Sequence, residues 1–313
     1  MSRPKAIRFG GLLGLAGIFL VPVTACHAAG PGEHPSFNGG RAFEDLKRLV
    51  ALGPRPSGSP VLAKARAEIL RQLKLAGVTT EEDSFVAASP FGSVPMTNLI
   101  ARIPGERQQI VILAGHYETK RFDDFSFVGA NDGGSSAAFL IEMARSLAHR
   151  KNSFTYWVVF FDGEEAFQQF SETDGLFGSR HLVQKLTSSS ELSRVHAMIL
   201  VDMIGDAKLN VYRDMNSTSG LNDLIFGTAR RLNYGQHFLN EQRAYEDDHI
   251  PFINAGVSAV DLLDLDYGPN NRYWHTAQDT VDKCSPASLT IVGRVVLAAI
   301  EELEKKQGGG KRE

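Results

Sequence analysis

Residues 160–167 read Phe-Phe-Asp-Gly-Glu-Glu-Ala-Phe, and the adjacent carboxylates Glu164 and Glu165 are the pair best placed to do chemistry. They follow the apolar run Tyr156-Trp157-Val158-Val159-Phe160-Phe161, which reads as a buried strand, and the turn signal Asp162-Gly163. Two carboxylates at the end of a buried strand repel each other and lose hydration, so something positive must compensate them, usually a metal ion. One Glu can then be a ligand while its neighbour stays free as an acid/base. Taken alone, a Glu-Glu pair after a turn more often is a solvated acidic loop; the rest of the chain decides otherwise.

Further polar residues stand at the ends of other apolar runs. His116 follows the run ending at Ala114, Asp202 follows Met198-Ile199-Leu200-Val201, and His275 lies beyond the run at 258–265. Asp132 sits in Gly129-Ala130-Asn131-Asp132-Gly133-Gly134, just ahead of a helical pattern. Each has a bland reading as a core histidine, a cap or a surface residue. Together His116, Asp132, Glu165, Asp202 and His275 form an N/O donor set suited to zinc, or less readily to another divalent first-row metal.

The elements that must position these residues alternate. Helical patterns cover 42–52, 61–76, 135–150, 179–186 and 286–306, and strand-like runs cover 98–103, 109–114, 156–161, 197–201 and 258–265. Alternation of this kind predicts an α/β three-layer sandwich, with helices on both faces of a central mixed, mostly parallel sheet. In such folds ligands bind beyond the carboxyl ends of the strands, where the polar residues above fall.

Composition agrees with one large catalytic domain, expected over 42–306: the chain has 313 residues, 43% hydrophobic and 22% charged, with a net charge of -3 that offers no nucleic-acid footprint. The first residues read as an export signal over 1–28, with Arg3, Lys5 and Arg8 ahead of an apolar stretch too short to span a membrane. Val23-Thr24-Ala25-Cys26 resembles a bacterial lipobox, so the chain is expected to be exported, either lipid-anchored through Cys26 or cut after Ala28 and periplasmic. A Gly/Pro-rich tether is expected over 29–41 and a disordered tail over 307–313. The only other cysteine, Cys284, has no second thiol near it and reads as a bystander.

The order His, Asp, Glu-Glu, Asp, His resembles the zinc exopeptidases of the M28 aminopeptidase clan over about residues 42–305. A closer resemblance is to the animal-type glutaminyl-peptide cyclotransferases (glutaminyl cyclases). It rests on Gly53-Pro54-Arg55-Pro56 with Gly58-Ser59-Pro60, on His116-Tyr117-Glu118-Thr119-Lys120, and on Asp247-Asp248-His249-Ile250-Pro251-Phe252 leading to Trp274-His275-Thr276. The most specific segment runs from Asp162-Gly163-Glu164-Glu165 to Gly178-Ser179-Arg180-His181-Leu182. Nine residues separate Glu165 from Gly175, where the clan's aminopeptidases usually have one or two. The chain departs from the cyclases at Glu118 (usually Asp), at Phe170 (usually Trp) and in the peptidase-like Asn131-Asp132-Gly133-Gly134.

The cyclase resemblance implies one zinc held by Asp132, Glu165 and His275, with Glu164 as proton shuttle. It also implies Asp202 and Asp247 sharing a proton, and Trp274 and Phe170 walling the substrate pocket. The expected reaction turns N-terminal Gln of a peptide or protein into pyroglutamate and ammonia, in a monomer without nucleic-acid partners. The alternative is a di-zinc aminopeptidase, with Asp132 bridging, His116 and Asp202 completing a second metal site, and Glu118 orienting His116. A metal-free binding module is the third reading, and retention of Glu164 with every ligand position speaks against it.

Overall fold

The computed structural model describes residues 1–2 and 37–308, with side chains to residue 306. The expected export signal, the lipobox at Cys26, most of the tether and residues 309–313 lie outside the described residues. Two helices open the domain, α1 (Gly39–Val50) and α2 (Pro60–Leu75). The Asn38 side chain accepts from Arg41 N–H at the start of α1, and Ser59 does the same for Leu62 N–H in α2, which begins on Pro60. Then come β1 (Thr79–Ser89), β2 (Gly92–Ile103), β3 (Ile110–His116), α3 (Gly134–Ala148), β4 (Thr155–Phe161), α4 (Phe177–Ser188) and β5 (Val195–Asp202). The chain continues through β6 (Val211–Asp214), α5 (Ser219–Arg231), β7 (Phe238–Arg243), α6 (His249–Asn254), β8 (Ala259–Leu263) and α7 (Pro286–Gly308).

The main sheet has the order β1-β2-β4-β3-β5-β8. The β3–β4, β3–β5 and β5–β8 pairings are parallel, and the β1–β2 hairpin joins β4 antiparallel. Alternation along β4 shows the layering: Tyr156, Val158 and Phe160 pack with Leu46, Phe139 and Val296 of α1, α3 and α7, whereas Trp157, Val159 and Phe161 pack with Leu182 and Phe252 of α4 and α6. This is the expected sandwich.

Six elements departed from expectation. The sequence reading placed no strand at β1, none in the outer half of β2, no helix at α5 or α6, and no β6–β7 pair. β1 carries Glu81 and Asp83 on its inner face and exposes Val86 on the outer one, so its apolar signal is weak, and α6 is six residues long with Pro251 inside it. α1 begins at Gly39, inside the expected tether, and α7 runs to Gly308, two residues into the expected tail. No helix among the described residues is long and apolar enough to cross a membrane. Cys284 is buried, and burial pushes its thiol up, which leaves it inert.

Candidate active site

The polar residues singled out above do converge at the carboxyl ends of β3, β4 and β5. His116 ends β3, Asp202 ends β5, and Glu164 and Glu165 follow β4 across the turn at Gly163. Asp132 arrives on the loop before α3, and His275 on the loop between β8 and α7. Asp132 lies between two donor sets. Its Oδ1 is 3.2 Å from His116 Nε2, which is 3.0 Å from Asp202 Oδ1. Its Oδ2 is 3.2 Å from His275 Nε2, which is 3.0 Å from Glu165 Oε1. Each imidazole nitrogen therefore faces two carboxylates, while it can offer one hydrogen at most.

That arrangement suits metal ions. Burial works against charging His275, but Glu165 and Asp132 outweigh it and push the imidazole up to about 10. His116 is likewise driven well above its ordinary value by Asp202 and Asp132 against the effect of burial. For Asp132, burial is overcome by the two imidazoles, and its carboxyl lies below the usual range. The imidazoles attract protons because carboxylates are in excess, and a divalent cation at either set would replace those protons. Asp132, Glu165 and His275 fit one ion, and His116, Asp132 and Asp202 a second.

Backbone contacts hold Asp132 in place. Asp279 accepts from the N–H of Asn131 (2.8 Å) and of Asp132 (3.1 Å). Gly133 has φ +76, and a Cβ there would lie 2.1 Å from the Glu118 carbonyl oxygen, so no side chain fits beside Asp132. Arg55, fully buried in the Gly-Pro-Arg-Pro loop, donates to the carbonyls of Tyr117 (2.9 Å), Val128 (2.6 Å) and Gly129 (2.9 Å), and so ties that loop to the segment carrying Asp132. His275 itself sits at φ +53, a strained conformation for a side chain of this size, as occurs at functional positions.

Glu118 does something other than expected. Its Oε1 lies 3.7 Å from His116 Nδ1, too far for a hydrogen bond, and instead accepts from the N–H groups of Glu164 (2.6 Å) and Glu165 (3.1 Å). It fixes the backbone of the carboxylate pair rather than the imidazole. The two neighbours then meet different surroundings. Glu165 contacts His275 and lies 3.4 Å from Lys120 Nζ, whereas burial, reinforced by Glu165, raises the Glu164 carboxyl well above its ordinary value.

A cavity of about 290 Å³ opens over these groups, walled by Glu164, Glu165, Phe170, Asp247, Trp274 and His275 among others. Trp274, 39% exposed, stacks on His275 with ring centroids 4.1 Å apart. Phe170 is set by the nine-residue loop: Asp174 accepts from the N–H groups of Phe167, Gln168 and Gln169, and Gly175 at φ +103 leaves room for the Phe170 ring. Asp247, expected at the site, lines the cavity, and two further buried acids, Asp248 and Asp261, were given no role by sequence reasoning. Burial, then Asp202 and Asp248, raises Asp247 well above the ordinary range. Burial pushes Asp248 up to about 7 and Asp261 well up, and neither has a hydrogen bond at its carboxyl oxygens. A signal for Asp261 was present, because an Asp inside the run Ala259-Val260-Asp261-Leu262-Leu263 breaks an otherwise apolar strand.

Known proteins resemble this chain in sequence and fold. Residues 98–300 match peptidase family M28. The crystal structure of Acidobacteriales bacterium glutaminyl cyclase is 41% identical, with a TM-score of 0.85 over 90% of this chain and 100% of that one. The glutaminyl-peptide cyclotransferase of Boiga irregularis is 29% identical over 286 residues, 79% of this chain and 77% of that protein. That of Dictyostelium discoideum is 30% identical over 282 residues, 75% of this chain and 76% of that protein. The chain belongs to peptidase family M28, and within that family to the glutaminyl cyclases.

Proposed function

We propose that this chain is a glutaminyl-peptide cyclotransferase, which converts the N-terminal Gln of a peptide into pyroglutamate and releases ammonia. The observation that carries the reading is the 41% identity to a glutaminyl cyclase over that chain's full length. The nine-residue loop that brings Phe170 to the cavity supports it.

Zinc held by Asp132, Glu165 and His275 would supply Lewis acidity toward the carbonyl of the substrate's γ-carboxamide. The protein does the rest. Phe170 and Trp274 confine one side chain in a cavity at the small end of ligand pockets, which favours the folded, cyclising conformer of Gln. The substrate's own α-amine is the nucleophile. Glu164 takes its proton as the new C–N bond forms at the carbonyl carbon of the γ-carboxamide, and returns it to the departing amide nitrogen as the carboxamide C–N bond breaks. A carboxyl raised by burial and a like-charged neighbour suits both steps better than one at its ordinary value. Burial and then Asp202 raise Asp247, which suits the pair to share a proton and donate it to the developing oxyanion or the leaving nitrogen.

A second reading has one observation of its own, the His116–Asp132–Asp202 donor set, which would complete the di-zinc site of an aminopeptidase. Incubation with Gln-Ala and Leu-Ala separates the two. Ammonia and pyroglutamyl-Ala from the first peptide, with the second intact, is the expected result. Free leucine without pyroglutamate would overturn the cyclase reading.

A further inference from the structure

A second cavity of about 490 Å³ lies beside the first and shares Phe170 and Glu246 with it as common walls. Phe170 and Ile250 and Pro251 at the start of α6 give it apolar sides, and Glu172 and Glu246, both exposed, give it carboxylates. One cation lines it. Arg180 donates to the backbone carbonyls of Ser171 and Glu172, so its guanidinium is held back against the loop. A peptide whose first side chain fills the inner cavity reaches the second by crossing the shared Phe170–Glu246 wall, and one residue of extended chain spans about 3.5 Å.

We propose that the second cavity is a subsite for the residue after the N-terminal Gln, and that Glu246 and Glu172 make it select Lys or Arg there. The inference rests on the cyclase reading. A long cationic side chain matches the walls, since its methylenes lie along Phe170, Ile250 and Pro251 while its head reaches the carboxylates. Arg180 opposes this with one positive charge, tethered to carbonyls, against two negative charges on free side chains. Selectivity is modest because the carboxylates are exposed and screened by salt.

The test is kcat/KM for Gln-Lys-Ala, Gln-Ala-Ala and Gln-Glu-Ala at low and high salt, in wild type, Glu246→Gln and Glu172→Gln. The order Lys above Ala above Glu is expected, with a Lys-to-Glu ratio of about tenfold at low salt. Either substitution should cut that ratio by about threefold, and high salt should compress it. A ratio near one, a preference for Glu at position two, or a ratio untouched by both substitutions overturns the subsite. If no Gln peptide cyclises, the activity reading fails instead. Calorimetric Kd values for the same three peptides then score the subsite on the same ratio.

Discussion

Replacing Glu118 sets two large effects against each other. Its Oε1 accepts from the N–H groups of Glu164 and Glu165 at 2.6 and 3.1 Å, and the side chain is buried. Hydrogen bonds to a charged acceptor contribute about 1.5–3 kcal/mol each, so Glu118→Ala removes about 3–6 kcal/mol and leaves two buried donors unpaired. Against this, Glu118 repels the buried Asp162, whose carboxyl is pushed up to about 7 by burial and then by Glu118. Relief of that repulsion returns part of the loss, on the order of 1–2 kcal/mol.

The net expectation is a destabilisation of about 3 kcal/mol, equivalent to a fall in Tm of about 6 °C for a domain this large. Glu118→Gln separates the effects, because its amide oxygen still accepts while the charge is gone. It should stay within about 1 kcal/mol of wild type. Urea unfolding of the zinc-loaded protein measures both, and kcat reports whether Glu164 has moved. If Glu118→Ala unfolds with wild-type stability and turns over normally, Glu118 does not hold the carboxylate pair and the reasoning is wrong.

Other expectations follow from the same contacts. Glu164→Gln should lower kcat by about 10²–10⁴-fold while zinc content, measured by atomic absorption, stays at the wild-type level; His275→Ala should lose the metal instead. Asp264 accepts from Asn210 N–H (2.7 Å) and Asp266 N–H (3.0 Å), yet burial pushes its carboxyl up to about 7. A raised folded pKa means its favourable contribution is full below about pH 4 and is lost as pH rises through about 7, up to about 4 kcal/mol. Asp264→Asn should flatten unfolding free energy measured across that window, and an unchanged slope would refute the assignment. On α3, the fully buried Glu142 is held by Arg41 (2.6 Å) and Arg145 (3.2 Å). Glu142→Ala should destabilise by about 3–5 kcal/mol in thermal unfolding, without changing KM.

The candidate ligands were legible because a parallel α/β sheet exposes the carboxyl ends of its strands, and an apolar run followed by His, Asp or Glu marks such an end. The β1–β2 hairpin and the β6–β7 pair were not, since the inner face of β1 carries Glu81 and Asp83 while Val86 is exposed, β6 is only four residues long and β7 is largely exposed, so none shows a clear apolar alternation. Asp279 and Arg55 escaped for another reason. Both act on backbone groups of the Asp132 loop that are 147 and 74 residues away in the chain, at Asp132 and Gly129, and no local pattern records contacts at that distance.

The Glu164–Glu165 pair marks the limit most clearly. Position in the chain treats the two alike, since they are neighbours with the same side chain at the end of one strand. Their environments do not. The side chain of Glu165 meets His275 and Lys120, which place its oxygens beside another candidate metal donor. That of Glu164 meets burial and the charge of Glu165, which raise its affinity for a proton and suit it to take one from a substrate amine. Glu118 clamps both N–H groups, so the backbone cannot turn to exchange the two side chains without breaking a buried hydrogen bond. Adjacent identical residues thus take opposite roles through surroundings assembled from two other segments, and the division of labour is a property of the fold rather than of the motif.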